Sequence, residues 1–145
     1  EITKIDNFGA YLTAMVEIDA FFMNEDRHTN NIAVIYNEKT QKYELSPFFD
    51  QGLCMFADIN QDYPIDQSLE YCLEKIEAKP FSSDFDIQLD AAEELYGIQI
   101  GFQFTFKDIQ IYLQKNSENY PREVIRRVEQ LLRGQMRKYG YLMKK

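Results

Sequence analysis

Asn24-Glu25-Asp26-Arg27-His28-Thr29-Asn30-Asn31 is followed, nineteen residues after Asn31, by Asp50-Gln51-Gly52, and these two stretches decide how the rest of the chain is read. The first is a polar loop. Upstream of it, residues 11–23 carry Leu12, Met15, Val16, Ile18, Phe21 and Phe22, too many apolar positions for a narrow amphipathic stripe. That density predicts a largely buried helix over 11–23 that delivers the chain into the loop. Downstream, Ile32-Ala33-Val34-Ile35-Tyr36 is a short β-branched run and residues 43–49 form a second, with the polar, turn-forming residues 37–42 between them. Together they predict a β-hairpin. Antiparallel strands return the chain to the end from which it started, so Asp50 is expected beside the loop.

The remainder reads as helices separated by punctuation. Residues 58–67 are rich in Asp, Asn, Gln and Pro and predict an irregular loop. A helix is expected over 68–76, broken by residues 80–83. Ser83 or Asp84 can cap the next helix, which runs to about Tyr96, with Gly97 as its stop. Thr105 with Asp108 is a capping-box pattern for a helix over 106–115. Pro121 opens a last helix whose Val124, Ile125, Val128, Leu131, Leu132 and Met136 recur at spacings of three and four. The expected fold is therefore mainly α with a small β-hairpin, an α+β arrangement, with no linker or repeat dividing residues 1–145.

Composition narrows the functional classes. The formal charge of −8 argues against nucleic acid as a direct partner and against a standing anchor on anionic lipid. Basic residues gather at 122–145, but they alternate with apolar positions at helical spacing and read as a solvated helix face. Cys54 and Cys72 are too few for a disulfide framework, and with His28 the single histidine there is no soft ligand set for zinc. Reduced thiols and a cytoplasmic location are the expectation. No run approaches the roughly 18 apolar residues of a membrane span, and no secretory signal pattern opens the chain. The opening at Glu1, in mid-pattern rather than at methionine, reads as a fragment or a processed product.

Asp26 and Asn31 are five apart, the spacing at which a kinase catalytic loop carries the carboxylate that receives the substrate hydroxyl and the amide that holds a metal. Phosphoryl transfer asks little covalent help of the protein. It needs an acceptor hydroxyl aligned with the γ-phosphorus and cations that neutralise phosphate charge. On that chemistry Asp26 is the candidate base or hydroxyl-orienting group, Asn31 a hard oxygen ligand, and Asp50 the anionic ligand that fixes Mg²⁺ against the triphosphate. His28 either donates toward phosphate or braces the loop backbone. Arg27 either pairs with an acidic neighbour or faces solvent. Taken singly, Asp26 reads as a turn or cap residue and Asp50-x-Gly52 as an Asx turn; their joint occurrence between a buried helix and a hairpin favours the catalytic reading.

The string Asp26-Arg27-His28-x-x-Asn31 with Asp50-x-Gly52 resembles the motifs of the atypical kinases that include phosphatidylinositol 3/4-kinases and the HipA-like protein serine/threonine kinases. Ser46-Pro47-Phe48-Phe49-Asp50 is closer to the HipA-like branch, where a similar Pro-aromatic-aromatic-Asp segment leads to the metal aspartate. The resemblance covers about residues 21–52. It implies a protein-kinase-like C-lobe, ATP with Mg²⁺, and transfer to a serine or threonine of a protein substrate, in a family whose members often act as toxins restrained by a partner antitoxin. It assigns Asp26 and His28 to catalysis and Asn31 and Asp50 to the nucleotide and metal. Such a kinase also needs an N-terminal β-lobe with a Gly-rich loop and a lysine, whereas Gly9 and Lys4 are the only glycine and lysine before Asp26. Gln51 stands where conventional kinases commonly carry an apolar residue. The expectation is a catalytic lobe that acts when its N-lobe is supplied upstream or by another chain. The alternatives are a lipid or small-molecule kinase lobe, and a non-catalytic, pseudokinase-type interaction domain that binds a partner around Phe102, Phe104 and Tyr112.

Overall fold

The computed structural model describes residues 3–144; Glu1, Ile2 and Lys145 lie outside the described residues. In order, the elements are α1 (Phe8–Phe22), β1 (Val34–Asn37), β2 (Lys42–Leu45), α2 (Leu69–Lys75), α3 (Phe85–Tyr96), α4 (Phe106–Lys115) and α5 (Arg122–Lys138). The protein is thus mostly helical with one small two-stranded antiparallel sheet. No helix among the described residues is long and apolar enough to cross a membrane.

Helix α1 starts at Phe8, three residues ahead of the expected boundary, and is the buried axis of the fold. Met15, Val16, Ala20 and Phe21 are buried as expected, and so are Thr13, Glu17 and Asp19. Each of the two acids has an assigned partner, because a charge removed from water must be hydrogen-bonded or paired. Glu17 accepts from the main-chain amides of Gln99 at 2.8 Å and Ile100 at 2.7 Å, which ties the segment after α3 to α1. The helix ends at Met23, a left-handed residue with φ 54°.

Around α1 the caps of α3 and α4 are those the sequence implies, and at α2 Ser68 is the cap and not the first helical residue. Ser68 accepts from Tyr71 at the start of α2, Asp84 from Asp86 and Ile87 at the start of α3, and Thr105 and Asp108 close a reciprocal capping box on α4. Gly97, at φ 72°, stops α3 in a conformation that costs a side chain dearly. Phe102 and Phe104 pack their rings against Phe21 and Phe22, with Phe21 and Phe102 centroids 4.6 Å apart, so they belong to the core. Tyr112 is exposed.

Two expectations need correction. The second strand stops at Leu45; the Ser46 amide makes one more bond, to Ala33 O at 3.4 Å, and Pro47, which has no amide hydrogen, ends the pairing, so residues 46–49 run on irregularly. The basic positions of α5 are not uniformly solvated. Arg127 is buried, and its guanidinium donates to the carbonyls of Tyr63 at 2.9 Å, Pro64 at 2.6 Å and Gln67 at 3.1 Å. It holds the irregular loop that ends at Gln67 onto α5, a tertiary role that helical spacing cannot reveal. Further along α5, Gln135 donates to the carbonyls of Ala20 at 2.8 Å and Phe21 at 3.1 Å, satisfying the last turn of α1.

Candidate active site

The loop at residues 24–31 springs from the last turn of α1, and Asp19 in that turn organises it. The Asp19 carboxylate accepts from Arg27 Nε at 2.7 Å, Arg27 Nη2 at 3.0 Å and Asn24 Nδ2 at 2.8 Å. Asn24 in turn accepts the Asp26 amide at 3.3 Å. Asp19, Asn24 and Arg27 are all buried. Burial on its own would pull the Arg27 guanidinium toward neutrality, and the Asp19 carboxylate outweighs it, so the guanidinium stays charged. A planar guanidinium has donors to spare after a two-point pair. Nη1 of Arg27 reaches the carbonyls of Phe49 at 2.9 Å and Asn31 at 3.4 Å.

That clasp brings the two sequence stretches together. The residue before Asp50 and the last residue of the loop share one guanidinium, so the hairpin returns as its antiparallel register requires. Beyond Asp50 the chain stays on the loop: the Glu25 amide donates to Leu53 O at 3.3 Å and the Met55 amide to Phe22 O at 2.9 Å. Asp50 is exposed and left-handed, with φ 57°. Asn31 is buried, and its Nδ2 donates to the main-chain carbonyl of Asp26 at 3.1 Å. Asp26 is half-exposed, and Lys79 Nζ, from the segment between α2 and α3, lies 3.6 Å from its Oδ1. His28 is half-buried; its carbonyl accepts the Asn31 amide at 2.9 Å, and its ring makes no hydrogen bond among the described residues.

Asn31 is therefore joined directly to the Asp26 main chain, while Asp50 is held between the Arg27 bond to Phe49 O and the Glu25 amide bond to Leu53 O. Asn31 spends its NH₂ on the loop, and among the described residues nothing donates to its Oδ1. Asp50 has no ion pair there either. An amide oxygen and a carboxylate are hard donors that suit Mg²⁺, which keeps several waters and phosphate oxygens in its own shell. No group of three His, Cys, Asp or Glu side chains is assembled for a metal among the described residues, which a site of one carboxylate and one amide does not require.

The surroundings tie this loop to the rest of the fold. The Tyr63 hydroxyl donates to Glu25, linking the irregular loop to the candidate catalytic loop. Burial raises both groups, and the hydrogen bond raises Tyr63 further. Cys54 is pushed up to about 12, chiefly by burial and then by the Asp19 charge, so it stays a thiol and not a nucleophile. No protein-family model matches the chain, nor does any curated protein or any solved structure.

Sequence reasoning missed Asp19, Asn24 and Lys79, and left Arg27 undecided. A signal for Asp19 existed: an aspartate in a helix apolar on nearly every face must find a cation, and Arg27 is the first one after it. Lys79 had none, because it reaches the loop only through tertiary packing.

Proposed function

We propose that this chain is the catalytic C-lobe of a HipA-like protein serine/threonine kinase, which passes the γ-phosphate of ATP to a protein hydroxyl when an ATP-covering lobe joins it. The observation that supports this reading best is the Arg27 clasp. A buried guanidinium that fastens the end of an Asp-x₄-Asn loop to the residue before a second aspartate gives the three polar groups a rigid common base, which positioning-dominated catalysis needs. In this reading the Asp26 carboxylate orients the acceptor hydroxyl and receives its proton. Asn31 Oδ1 and the Asp50 carboxylate would hold Mg²⁺, which supplies neutralisation of phosphate charge when bound. Lys79 sets its amine beside Asp26, where in this reading a phosphoryl group arrives. His28, with an uncommitted ring at the mouth of the loop, is suited to donate to phosphate.

Calorimetric titration with ATP in the presence of Mg²⁺ tests the reading, with Asp50→Asn as control. Binding to the wild type that the substitution abolishes supports it. If ATP and Mg²⁺ bind neither the chain nor its complex with a complementary lobe, the assignment of Asn31 and Asp50 fails.

A further inference from the structure

Helices α1 and α3 run antiparallel: Gly9 lies beneath the Tyr96 ring and Thr13 Oγ1 reaches Ala92 O. Phe85 and Leu89 point from α3 into the core. The neighbouring strip of the same helix, Ile87, Ala91 and Leu95, repeats every four residues, and Ile87 is 62% and Leu95 74% exposed. Phe81, 60% exposed, extends the strip beyond the helix start. With Leu12 and Val16 of α1 on the other side, these residues line a groove of about 250 Å³. Isolated exposed apolar side chains are ordinary. A row of them along a groove between two helices marks an interaction surface. From Ile87 to Leu95 the strip spans two turns of α3, a length that one face of a third helix can cover.

Its charge selects the occupant. Asp90 and Glu94 each stand one residue before Ala91 and Leu95, so at 100° per residue they form a row along the outer edge of the strip, and both are exposed. We propose that this groove docks an amphipathic helix of a partner protein that presents apolar residues to the strip and Lys or Arg to Asp90 and Glu94. A second copy of the chain is a poorer occupant in the antiparallel isologous contact, where the two carboxylate rows stand against each other. An anionic membrane meets the same repulsion. The proposal is independent of the phosphoryl-transfer reading.

The test uses the whole chain and two synthetic helical peptides of identical Leu pattern, one with Lys and one with Glu at the polar positions, followed by amide chemical-shift titration. The Lys peptide is expected to bind and to shift α1 and α3 resonances, and the Glu peptide not to. Leu95→Glu should weaken the Lys peptide by about tenfold or more. Because that substitution adds negative charge, adventitious attraction to the acidic chain would instead strengthen. Asp90→Lys with Glu94→Lys should move the preference to the Glu peptide. Equal binding of both peptides, binding of neither, or an unchanged affinity in Leu95→Glu overturns the proposal. A dimer seen by light scattering without peptide and lost in Leu95→Glu also overturns it, in favour of self-association. Circular dichroism checks folding, which a substitution at so exposed a position leaves intact.

Discussion

Arg27 and Asp19 face each other inside the protein as a two-point pair, Nε to Oδ2 at 2.7 Å and Nη2 to Oδ1 at 3.0 Å, with the side chains 0% and 1% exposed. Removing one partner of such a pair leaves the other charged and unsatisfied, at a cost of about 3–5 kcal/mol. Arg27→Met and Asp19→Asn are each expected to lower stability by that order in urea denaturation. Arg27→Lys should also fall short, because an ammonium cannot make the paired bonds and still reach Phe49 O. Losses that simply add in the Asp19→Asn, Arg27→Met double mutant would show that the two side chains do not act as a unit.

Asp26→Ala separates chemistry from folding. On the proposed kinase reading, with an ATP-covering lobe supplied, loss of the loop carboxylate is expected to reduce phosphotransfer on the order of 10²–10⁴-fold. Its one ion pair is half-exposed, so thermal stability should change by about 0.5 kcal/mol or less. Unimpaired transfer by the variant would remove Asp26 from the mechanism.

Asp50 offers a cleaner control than its position suggests. It sits at φ 57°, where Asp and Asn are tolerated and β-branched residues are not. Asp50→Asn should therefore leave the unliganded melting temperature unchanged and delete only the stabilisation given by Mg²⁺ with ATP. A drop in the unliganded protein would point to a structural carboxylate instead.

The buried Glu17 carboxyl predicts a pH dependence. Burial raises its pKa above 4.5, and the Gln99 and Ile100 amides oppose that without cancelling it. The folded protein thus holds this proton more tightly than the unfolded chain. Its contribution is fully present below about pH 4.5 and is lost as pH rises through the folded pKa. Relative to Glu17→Gln, the wild type should gain stability as pH falls into that window. A difference constant with pH would refute the assignment.

Arg127→Met should release the irregular loop without unfolding the helices. Three carbonyls lose a charged donor, with a cost of about 2–3 kcal/mol. The signature is faster amide exchange at residues 63–67, and loss of protection confined to α5 would contradict it.

The helices were legible because their signals are local. Asp84, Thr105 with Asp108, and Gly97 each act within one turn of where they stand, and they set the starts of α3 and α4 and the end of α3; Ser68, read as the first residue of α2, proved to be its cap. The hairpin could be read from its β-branched runs, though not the early end of β2, which Pro47 decides against an otherwise suitable stretch. At the candidate site the outward groups, Asp26, Asn31 and Asp50, had a recognisable spacing. The groups that hold them did not. Asp19 and Arg27 are eight apart and meet only because α1 ends in a left-handed turn at Met23, and Lys79 arrives from more than fifty residues away. Spacing along a chain encodes what one turn or one hairpin brings together, and tertiary contacts lie beyond it.

The bond from Gln135 to Ala20 spans 115 positions of chain. During synthesis α1 and the loop it carries leave the ribosome long before α5, and the final turn of α1 waits for its capping amide until then. The loop at residues 24–31 therefore grows from a helix whose last turn is satisfied late. A nascent chain ending soon after Asp50 already holds Asp26, Asn31, Asp50 and the Arg27 clasp, yet it lacks Lys79 and the amide that caps α1, so the candidate site is completed only when the rest of the fold arrives.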